Sequence, residues 1–593
     1  MKKKRTCRKL AAVMLGIAML AGTAGCGDTA DVSTETAVGT EEAAEASASE
    51  SNTSAAEGET ITLTIMGETG NDGISTDDAV GRYIQEKLGI VLEYQQVSSD
   101  KIQVLAASGD LPDIVEMHNS GTMISTLIDS GSLWCMDEWL ESNGENLKAK
   151  IPTALKYSKE IMGNGSTYFI PTVVQKRNEE VPNYNGYVGF FTRWDLYKEL
   201  GYPQMNGEDD YLNVLKQMQE LNPETEDGRK IYALSGFTDW GLWPYSISYP
   251  FSNGYNNGSY NQMVNSFTGE IQDMFLDEDG VFWDSIAFYN KAYRMGIMDP
   301  EAFTMKYDQY NNKVLNGEVL TCIYNWTQPD TSVCGELAGM YLLPGAFPYA
   351  DSLYPIEDEL GFMTSSALVI SNNCEYPEKA MELIDFLNSD EGLRLIFSGI
   401  QGVDWDYVDG VPQLIGTRKE NVESGNTVSV DYASTTGTQG LYKYKWLSSA
   451  STTDLLEDGY PVDLSEDRTY KVAKVDAAAA DFCEYYAPGE AEYPGDVYVK
   501  WVEDGTLTTA DSRPISSKLV GTLSTDNQQI LTRADEYFQA NVASIITAAD
   551  DDAFETQKQK MISDIKAMGY EEALAEVQQL YADAAALAET FAD

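Results

Sequence analysis

The sequence predicts an α/β protein with two sheet-containing regions and a helical C-terminal region. Segments with strand and helix patterns alternate between residues 61 and 117, and a new strand begins near Tyr187. After residue 560, apolar residues recur at helical spacing. Alternating strands and helices are typical of a sheet that is covered by helices on both faces.

The first region is predicted to have the order strand, helix, strand, helix, strand. Alternating β-branched and apolar residues indicate its first strand, and an apolar face that ends at Gly89 indicates its first helix. The predicted segments are 61–66, 77–88, 90–94, 100–108 and 113–117. Two crossovers of this kind predict parallel strands with right-handed connections.

The second region and the C-terminal region are assigned by the same periodicity rules. Short apolar runs predict strands, and apolar residues three or four positions apart predict helices. The predicted strands are 189–192, 319–324 and 361–370, and the predicted helices are 193–200, 207–221, 377–387 and two segments that contain 561–568 and 574–581. Residues 403–520 mix Tyr, Gly, Ser and acidic residues, which predicts loops and short strands.

The N-terminus has the pattern of an export signal. A basic head, Lys2 to Arg5, precedes an apolar run over residues 10–20 that is too short to span a bilayer. Small residues then lead to Cys26, in an arrangement that resembles a bacterial lipobox. We therefore predict that residues 1–25 are a lipoprotein signal peptide and that Cys26 carries a diacylglycerol. The alternative is an ordinary secretory signal beside a chance cysteine.

Residues 26–60 are predicted to form a disordered acidic tether. From residue 27 onward they contain no Lys, Arg or aromatic side chain and are rich in Ser, Thr, Ala and Glu. Such a segment buries too little apolar surface to offset the entropy cost of ordering it. The tether would hold the folded part of the protein away from the membrane surface.

The net charge excludes one class of partner. Of 593 residues, 94 are acidic and 40 are basic, which gives a formal charge of −54 at pH 7. A chain this negative repels nucleic acid and anionic lipid. We therefore expect no nucleic-acid partner, and contact with the membrane only through the lipid anchor.

The cysteine and histidine contents argue against a metal cofactor. The five cysteines after Cys26 are scattered and form no CxxC pair, so free buried thiols are expected. His118 is the single histidine, which excludes an HExxH metal site. We predict no cofactor and no metal. Paired carboxylates for glycoside hydrolysis remain an option, because acidic residues are abundant.

Several short motifs resemble those of one known family. The turn and strand at 107–114, ASGDLPDI, come first, and the strand and helix at 191–203, FTRWDLYKELGYP, open the second region. An Asn-Gly-Glu step at 316–318, a return segment over 378–402 and closing helices at 569–581 follow in order. The chain resembles extracellular solute-binding protein family 1, in its large oligosaccharide-type branch.

The resemblance implies a periplasmic-binding-protein-like fold with two α/β lobes joined by hinge crossings. Lobe one would comprise 61–185 with 360–405, and lobe two 186–359 with about 440–593. The resemblance also implies a non-enzymatic receptor that binds a small-molecule or oligosaccharide ligand between the lobes and delivers it to ABC permease subunits. With the lipid anchor, the protein is expected on the extracellular face of the bacterial cell membrane.

Aromatic side chains in segments without clear periodicity, and the polar residues beside them, are candidates for the ligand cleft. Large rigid rings can stack on the CH-rich faces of sugars, and clefts between lobes are typical binding sites. The candidates are Trp240, Trp243, Tyr245, Asn325, Trp326, Asp404 and Trp405. For the aromatic residues, packing in a core or at a hinge is the alternative role.

Polar residues at predicted strand ends are the second set of candidates. Ligands usually bind at the carboxyl edge of a parallel sheet. Glu68 and Asn71 follow the first strand, and His118 and Asn119 follow the third. We expect these four residues to line the cleft from lobe one, and a structural role is the alternative for His118.

The loop at 222–230 resembles a calcium loop that some members of the family carry. Asn222, Glu224 and Glu226 keep alternate oxygen-bearing positions, a spacing that suits Ca²⁺. Lys230 stands where a later acidic ligand is expected. We therefore predict an acidic turn that holds no metal.

Two other functions are compatible with the sequence. A surface glycan-processing enzyme would need two carboxylates poised across the cleft. A sensing or adhesion lipoprotein would have the same lobes without a role in transport. The resemblance favours the solute receptor over both.

Overall fold

The computed structural model describes residues 60–68, 72–118, 121–174, 176, 188–350, 359–361, 366–424, 444–509 and 515–591. The predicted signal peptide, Cys26 and almost the whole predicted tether lie outside these residues, as do Asn71 and Asn119. Within the described ranges, no helix is both long and apolar enough to cross a membrane.

In the described residues, the strands form one six-stranded sheet and several smaller sheets. In chain order the strands are β1 Ile61–Gly67, β2 Gly73–Ile74, β3 Ile90–Gln96, β4 Ile114–Met117, β5 Phe169–Pro171, β6 Val188–Arg193, β7 Tyr255–Asn257, β8 Gln262–Asn265, β9 Ile271–Asp273, β10 Thr321–Tyr324, β11 Met340–Tyr341, β12 Tyr349–Ala350, β13 Ala367–Ile370, β14 Trp405–Val408, β15 Val411–Leu414 and β16 Thr508–Thr509.

Helices occupy many of the segments between strands and make up the C-terminal region. In chain order the α-helices are α1 Ala79–Leu88, α2 Ser99–Ser108, α3 Gly121–Asp129, α4 Asp137–Ser142, α5 Glu145–Lys150, α6 Pro152–Tyr157, α7 Trp194–Glu199, α8 Glu208–Leu221, α9 Trp243–Ser246, α10 Ser248–Ser252, α11 Val281–Arg294, α12 Tyr307–Leu315, α13 Thr331–Cys334, α14 Pro377–Leu387, α15 Asp390–Ser398, α16 Gly416–Glu423, α17 Arg468–Ala473, α18 Ala477–Tyr486, α19 Pro494–Glu503, α20 Thr525–Ile546, α21 Asp551–Ala567 and α22 Tyr570–Phe591.

The first sheet has the strand order β2-β3-β1-β4-β13-β5. β1 pairs in parallel with β3 and with β4, with Ile61 opposite Ile90 and Ile65 opposite Ile114. Alternate residues of β1 are buried, because successive side chains of a strand point to opposite faces. The predicted order of parallel strands and helices is confirmed. As a result, the carboxyl ends of β1 and β4 lie side by side.

The second sheet, β10-β6-β11, is antiparallel. Every residue of β6 and β10 is buried, as expected for strands that lie inside a core. Trp194 of α7 and Trp283 of α11 are buried in the large cluster beside this sheet. The strands and helix predicted at 189–192, 193–200 and 319–324 are confirmed, with their ends shifted by up to two residues.

The segment that begins at Tyr444 contacts the first sheet and its neighbours. The Val174 backbone N–H donates to the Ser449 carbonyl at 2.6 Å, and the Ser449 hydroxyl donates to the Pro171 carbonyl at 2.7 Å. The Tyr444 hydroxyl donates to the Asp78 carboxylate at 2.9 Å. The family resemblance assigns residues from about 440 to lobe two, whereas these contacts are with elements of the first-sheet region.

The C-terminal helices pack on the core around the second sheet. Phe538 of α20 stacks on Phe275 with ring centroids 5.0 Å apart. The Asn290 amide donates to the carbonyls of Ile546 and Ala548, both at 2.9 Å. The helices predicted around 561–568 and 574–581 are confirmed as α21 and α22.

Helix α22 reaches two separate cores. Tyr570 and Val577 belong to the cluster beside the second sheet. Ala584, further along the same helix, belongs to the cluster of the first sheet together with Phe169 and Leu519. One helix therefore connects the packing of the two sheets.

Candidate functional site

Four aromatic side chains form a continuous group beside the carboxyl end of β10, which we call the aromatic platform. Trp326 stacks on Tyr324 with centroids 4.1 Å apart and an interplanar angle of 15°. Trp240 stacks on Tyr307 at 4.4 Å and 20°. The Trp326 indole N–H donates to the Tyr307 hydroxyl at 2.9 Å, which joins the two stacks.

The two tryptophans of the aromatic platform are exposed, although the tyrosine behind one of them is buried. Trp240 is 43% exposed and Trp326 is 47% exposed, whereas Tyr324 is buried. Tryptophan is highly buried on average, so two exposed indoles in one group are informative. Their faces offer flat apolar surface, and their positions are held by stacking and a hydrogen bond. Such a surface suits a ligand with apolar faces and polar edges, as a sugar ring has.

Contacts between two loops hold Trp240 in place. Thr238 donates its backbone N–H to the Met305 carbonyl at 3.0 Å, and Tyr307 donates its backbone N–H to the Asp239 carboxylate at 2.9 Å. Gly241 has φ +64°, and a Cβ at this position would lie 3.0 Å from the Gln539 amide nitrogen. The left-handed conformation and the close approach both favour glycine here.

The end of β10 holds Trp326 in place through polar contacts. The buried Cys322 thiol donates to the carbonyls of Tyr324 and Thr327 at 3.2 Å and 3.1 Å. Burial raises the pKa of this thiol, so it stays protonated and can donate. The Gln328 side chain donates to the Asn325 carbonyl at 3.1 Å and accepts from the Met340 backbone N–H at 2.9 Å.

A second group, which we call the His118 cluster, lies at the carboxyl edge of the first sheet. It consists of Glu68 after β1, Glu116 in β4, His118 after β4, and Trp446 from the segment that begins at Tyr444. The His118 imidazole pairs with the Glu116 carboxylate, and the His118 backbone N–H donates to Glu68 Oε1 at 3.2 Å. The Trp446 ring lies 4.6 Å from the imidazole between centroids.

The His118 imidazole is stabilised in its protonated form. Burial acts to lower its pKa, but the hydrogen bond to Glu116 and the negative charges of Glu116 and Glu68 act in the opposite direction and raise it above the ordinary 6.5. Because the folded-state pKa is raised, the stabilisation from His118 is present below pH 6.5 and is lost as the pH rises through the folded-state value. Glu116 and Glu68 thus both favour the charged form of His118.

The structure places the remaining candidates of the second-sheet region at different depths. Trp243 and Asn325 are half-buried beside the aromatic platform. Tyr245, by contrast, is only 3% exposed and packs edge-on against Tyr289 with centroids 5.1 Å apart. Tyr245 therefore offers no surface to a ligand in this structure. It was expected to line the cleft, but it lies in the core.

Asp404 and Trp405 were expected at the surface of the cleft, but both are also buried. The Asp404 carboxylate accepts from the Ile400 backbone N–H at 2.8 Å, and the Trp405 indole N–H donates to the Gly399 carbonyl at 3.0 Å. Trp405 is 7% exposed and belongs to a small core with Leu414. Both side chains fix the turn before β14.

Four residues of the two groups, Tyr307, Tyr324, Glu116 and Trp446, were not among the sequence candidates. Tyr307 begins a helix and Tyr324 ends a strand, so both match the pattern of ordinary core residues. Trp446 lies in a stretch without periodicity, where the only signal was an isolated tryptophan in a polar segment. Asn71 and Asn119, which were candidates, lie outside the described residues.

The loop at 222–230 is closed by an arginine. The Arg229 guanidinium donates to both oxygens of Asp227 at 3.0 Å and 2.9 Å and pairs with Glu318. The Asn222 amide donates to Glu199 at 3.1 Å, away from the loop. The described part of the chain contains no group of three or more His, Cys, Asp or Glu side chains that could hold a metal ion. Arg229 thus balances the charge of Asp227 within the loop and of Glu318 outside it.

We expect Arg229→Gln to lower the melting temperature by about 1–3 °C, because the Asp227 and Glu318 carboxylates lose their shared cation. We also expect EDTA to leave the melting temperature of the unmodified protein unchanged. Lys216→Gln, at an exposed position of α8, is the matched control for loss of a positive charge. A drop of many degrees with EDTA would contradict this assignment.

Comparison with known proteins places the chain in a family. A family model described as bacterial extracellular solute-binding protein matches residues 70–393. Lipoprotein LipO of Bacillus subtilis is 21% identical over 396 residues, which cover 62% of this chain and 72% of the relative.

Solved structures of binding proteins have a similar fold at low sequence identity. An HMO binding ABC-transporter associated solute binding protein from Bifidobacterium longum infantis is 14% identical, with a TM-score of 0.57 and coverage of 88% of this chain and 99% of that one. The Streptococcus pneumoniae substrate binding protein FusA in complex with kestose is 14% identical, with a TM-score of 0.57 and coverage of 89% and 100%. The alginate-binding protein AlgQ2 is 14% identical, with a TM-score of 0.55 and coverage of 88% and 98%.

These findings confirm the α/β, periplasmic-binding-protein-like fold and the predicted class of protein. Members of this family bind small-molecule or oligosaccharide ligands and interact with ABC permeases. They are binding proteins of transporters and not enzymes, in agreement with the prediction. Because the family model matches more than half of its length, the chain belongs to the bacterial extracellular solute-binding protein family.

Proposed function

We propose that this protein is the lipid-anchored receptor of an ABC importer and that its solute is an oligosaccharide. The aromatic platform carries the proposal, because Trp240 and Trp326 are both about half exposed on a rigid support. An apolar patch that stays uncovered is unfavourable in water and typically marks a binding surface. The Tyr307 hydroxyl at the edge of the aromatic platform is a polar group that a sugar hydroxyl can use.

Relatives with a similar fold support a carbohydrate ligand. The names of the solved structures mention alginate for one protein, HMO for another and kestose for a third. Their ligands differ although the folds agree, so the ligand of this chain depends on its own side chains. The aromatic platform and the His118 cluster are the two groups that we assign to ligand contact.

We further propose that the chain works as two lobes that close on the ligand. The predicted boundaries are 61–185 with 360–405 for lobe one and 186–359 with most of the chain from about 440 for lobe two. The hydrogen bonds of Ser449 with Val174 and Pro171 support one change: the segment 444–464 moves with lobe one. Segments that cross between lobes act as hinges in domain closure.

A glycan panel tests the proposed function. We expect at least one oligosaccharide to raise the melting temperature, because a ligand that binds only the folded state stabilises it. With that glycan, small-angle scattering should show a smaller radius of gyration than without it. Failure of every glycan to shift the melting temperature, while peptides or amino acids do so, would contradict the carbohydrate assignment. An unchanged radius with a verified ligand would contradict closure.

Replacement of Cys26 by serine tests the lipid anchor. We expect Cys26→Ser to release the protein from the membrane fraction into the medium, because the diacylglycerol thioether cannot form on a hydroxyl. The matched control is Cys135→Ser, at a half-buried cysteine of the folded part, which should stay membrane-bound. A Cys26→Ser variant that stays in the membrane fraction and carries lipid would contradict the prediction.

A further inference from the structure

Arg418 of α16 has a guanidinium group that is nine-tenths buried and makes no hydrogen bond within the described part of the chain. Its side chain is 10% exposed, and its buried Nε lacks an acceptor. The Asp463 carboxylate lies 3.6 Å from Arg418 Nη2, which is too long for a hydrogen bond. Because a buried charged donor without an acceptor is costly, native structures usually supply it with a partner, a water molecule or a bound ion. A ligand can therefore bind this guanidinium without breaking an existing hydrogen bond.

Lys445 shares the carboxylate of Asp463 with Arg418. Its Nζ lies 3.4 Å from the second oxygen of that carboxylate. The first oxygen accepts from the backbone N–H and the hydroxyl of Ser465 at 3.1 Å and 2.6 Å. Burial acts to raise the pKa of this carboxyl, but the charges of Lys445 and Arg418 and the hydrogen bonds from Ser465 lower it overall, so the group is charged. One negative charge therefore serves two positive side chains.

Two lysines at the C-terminal end of α17 add to the positive charge. Lys474 interacts electrostatically with Arg418 and Asp463 and forms no ion pair with a described residue. Lys471 pairs with Glu466. Among the residues that the structure describes, the ion pairs of these four cations thus involve two carboxylates, those of Asp463 and Glu466. The group that consists of Arg418, Lys445, Asp463 and Lys474 is called the Arg418 cluster, and its net charge is positive.

For an anion at the Arg418 cluster, the local charge matters more than the net charge of −54. At about 0.1 M salt the Debye length is about 10 Å, so distant surface charges are screened, whereas partly buried charges in contact are screened much less. The Lys445 side chain is 28% exposed and Lys474 is exposed, so an ion from the solvent can reach the cluster. The three cations come from three separate segments of the chain. Donors arranged in this way suit an anion whose oxygens point in several directions better than a planar carboxylate.

We propose that the Arg418 cluster binds a tetrahedral oxyanion, a phosphate or sulfate group that is either a free ion or a monoester on a sugar. Arg418 donates from its guanidinium, a group that forms charge-assisted hydrogen bonds with phosphate oxygens. Lys445 and Lys474 contribute ammonium groups, and Asp463 holds two of the three cations together when the anion is absent. None of these residues belongs to the aromatic platform or to the His118 cluster. The site is therefore an addition to the proposed solute site and does not depend on the identity of the solute.

Calorimetric titration of the mature protein with sodium phosphate and sodium sulfate tests the inference, with sodium chloride added to hold the ionic strength constant. We expect saturable binding of at least one of these ions, and binding of acetate that is weaker by at least about tenfold. Glucose 6-phosphate and glucose 6-sulfate are titrated beside the free ions. Tighter binding of an ester would identify a sugar-borne group as the ligand, and tighter binding of the free ion would identify an inorganic one. Acetate that binds as tightly as phosphate and sulfate, or no saturable binding of any of the four oxyanions below about 10 mM, would overturn the proposal.

Three variants locate the binding site. Arg418→Gln removes the buried guanidinium and should weaken oxyanion binding by at least about tenfold, and Lys474→Gln should weaken it about threefold. Lys216→Gln, at an exposed position of α8, removes one positive charge elsewhere and should bind like the parent. If Arg418→Gln does not fold, Lys474→Gln decides the question, because its position is exposed. Oxyanion binding that is unchanged in Lys474→Gln and in a folded Arg418→Gln would overturn the assignment and leave the proposed function intact.

Discussion

Alanine at Trp326 should weaken glycan binding by about tenfold to a hundredfold and lower the melting temperature much less than alanine at a core tryptophan does. Trp326 is 47% exposed, so its ring contributes less to the folded core than a buried ring does. In a complex, the same ring would lie against the ligand, and loss of one such contact costs about 1–3 kcal/mol of binding free energy. The measurement is calorimetric titration with a glycan from the panel, together with a thermal melt of each variant. Trp240→Ala should behave in the same way.

Core tryptophans provide the control for this prediction. Trp405→Ala and Trp283→Ala remove buried rings and should cost about 3–5 kcal/mol of unfolding free energy. Both are less than 9% exposed, in contrast to the indoles of the aromatic platform. If Trp326→Ala and Trp240→Ala bind normally, the ligand site is elsewhere, even though the family assignment stands. If instead they lose stability like the core variants, the aromatic platform is a packing feature.

Asp535→Asn should stabilise the protein at pH 8 and have little effect at pH 4. Asp535, on α20, is largely buried near the Asp273 carboxylate, and burial followed by the charges of Asp273 and Glu536 raises its pKa to about 7. The folded state therefore holds a proton that the unfolded state releases near pH 4, so stability falls as pH rises from about 4 to 7. A shift of this size corresponds to about 2–4 kcal/mol, and asparagine removes the penalty of the buried charge.

Chemical unfolding of both proteins between pH 4 and pH 8 measures this effect. We expect the two stability curves to meet at low pH and to separate by about 2–4 kcal/mol at pH 8. Glu589→Gln, at an exposed position of α22, removes one charge without this burial and should follow the parent curve. A constant offset between Asp535→Asn and the parent at all pH values would show that the carboxylate does not titrate with a raised pKa.

The first sheet could be predicted because its strands and helices carry local periodicity. Alternating burial along β1 and the αL glycine at the end of α1 are both visible as residue patterns. The position of the segment 444–464 could not be predicted in this way. It depends on hydrogen bonds between Ser449 and residues Pro171 and Val174, which are distant in sequence. Contacts of this kind leave no periodic signal.

The candidate site was predictable only in part for a related reason. Trp240 and Trp326 lie in irregular segments, and the structure exposes both. The sequence around Tyr245 and Trp405 is equally irregular, yet both side chains are buried. Their burial depends on neighbours such as Tyr289 that are remote in the sequence. An irregular sequence pattern indicates that a tryptophan is not part of the apolar face of a helix. It does not indicate whether the side chain faces solvent or the core.

The double attachment of α22 sets a mechanical limit on lobe closure. Tyr570 and Val577 anchor this helix in a large aromatic core, and Ala584, Leu587 and Ala588 near its other end pack against the core of the first sheet. Each buried CH₂-sized group contributes about 0.8 kcal/mol, so both ends of the helix hold their cores. Under the proposed closure, any free energy needed to shift α22 against one of these cores would reduce the apparent ligand affinity by the same amount. Weakly binding solutes would then fail to close the protein.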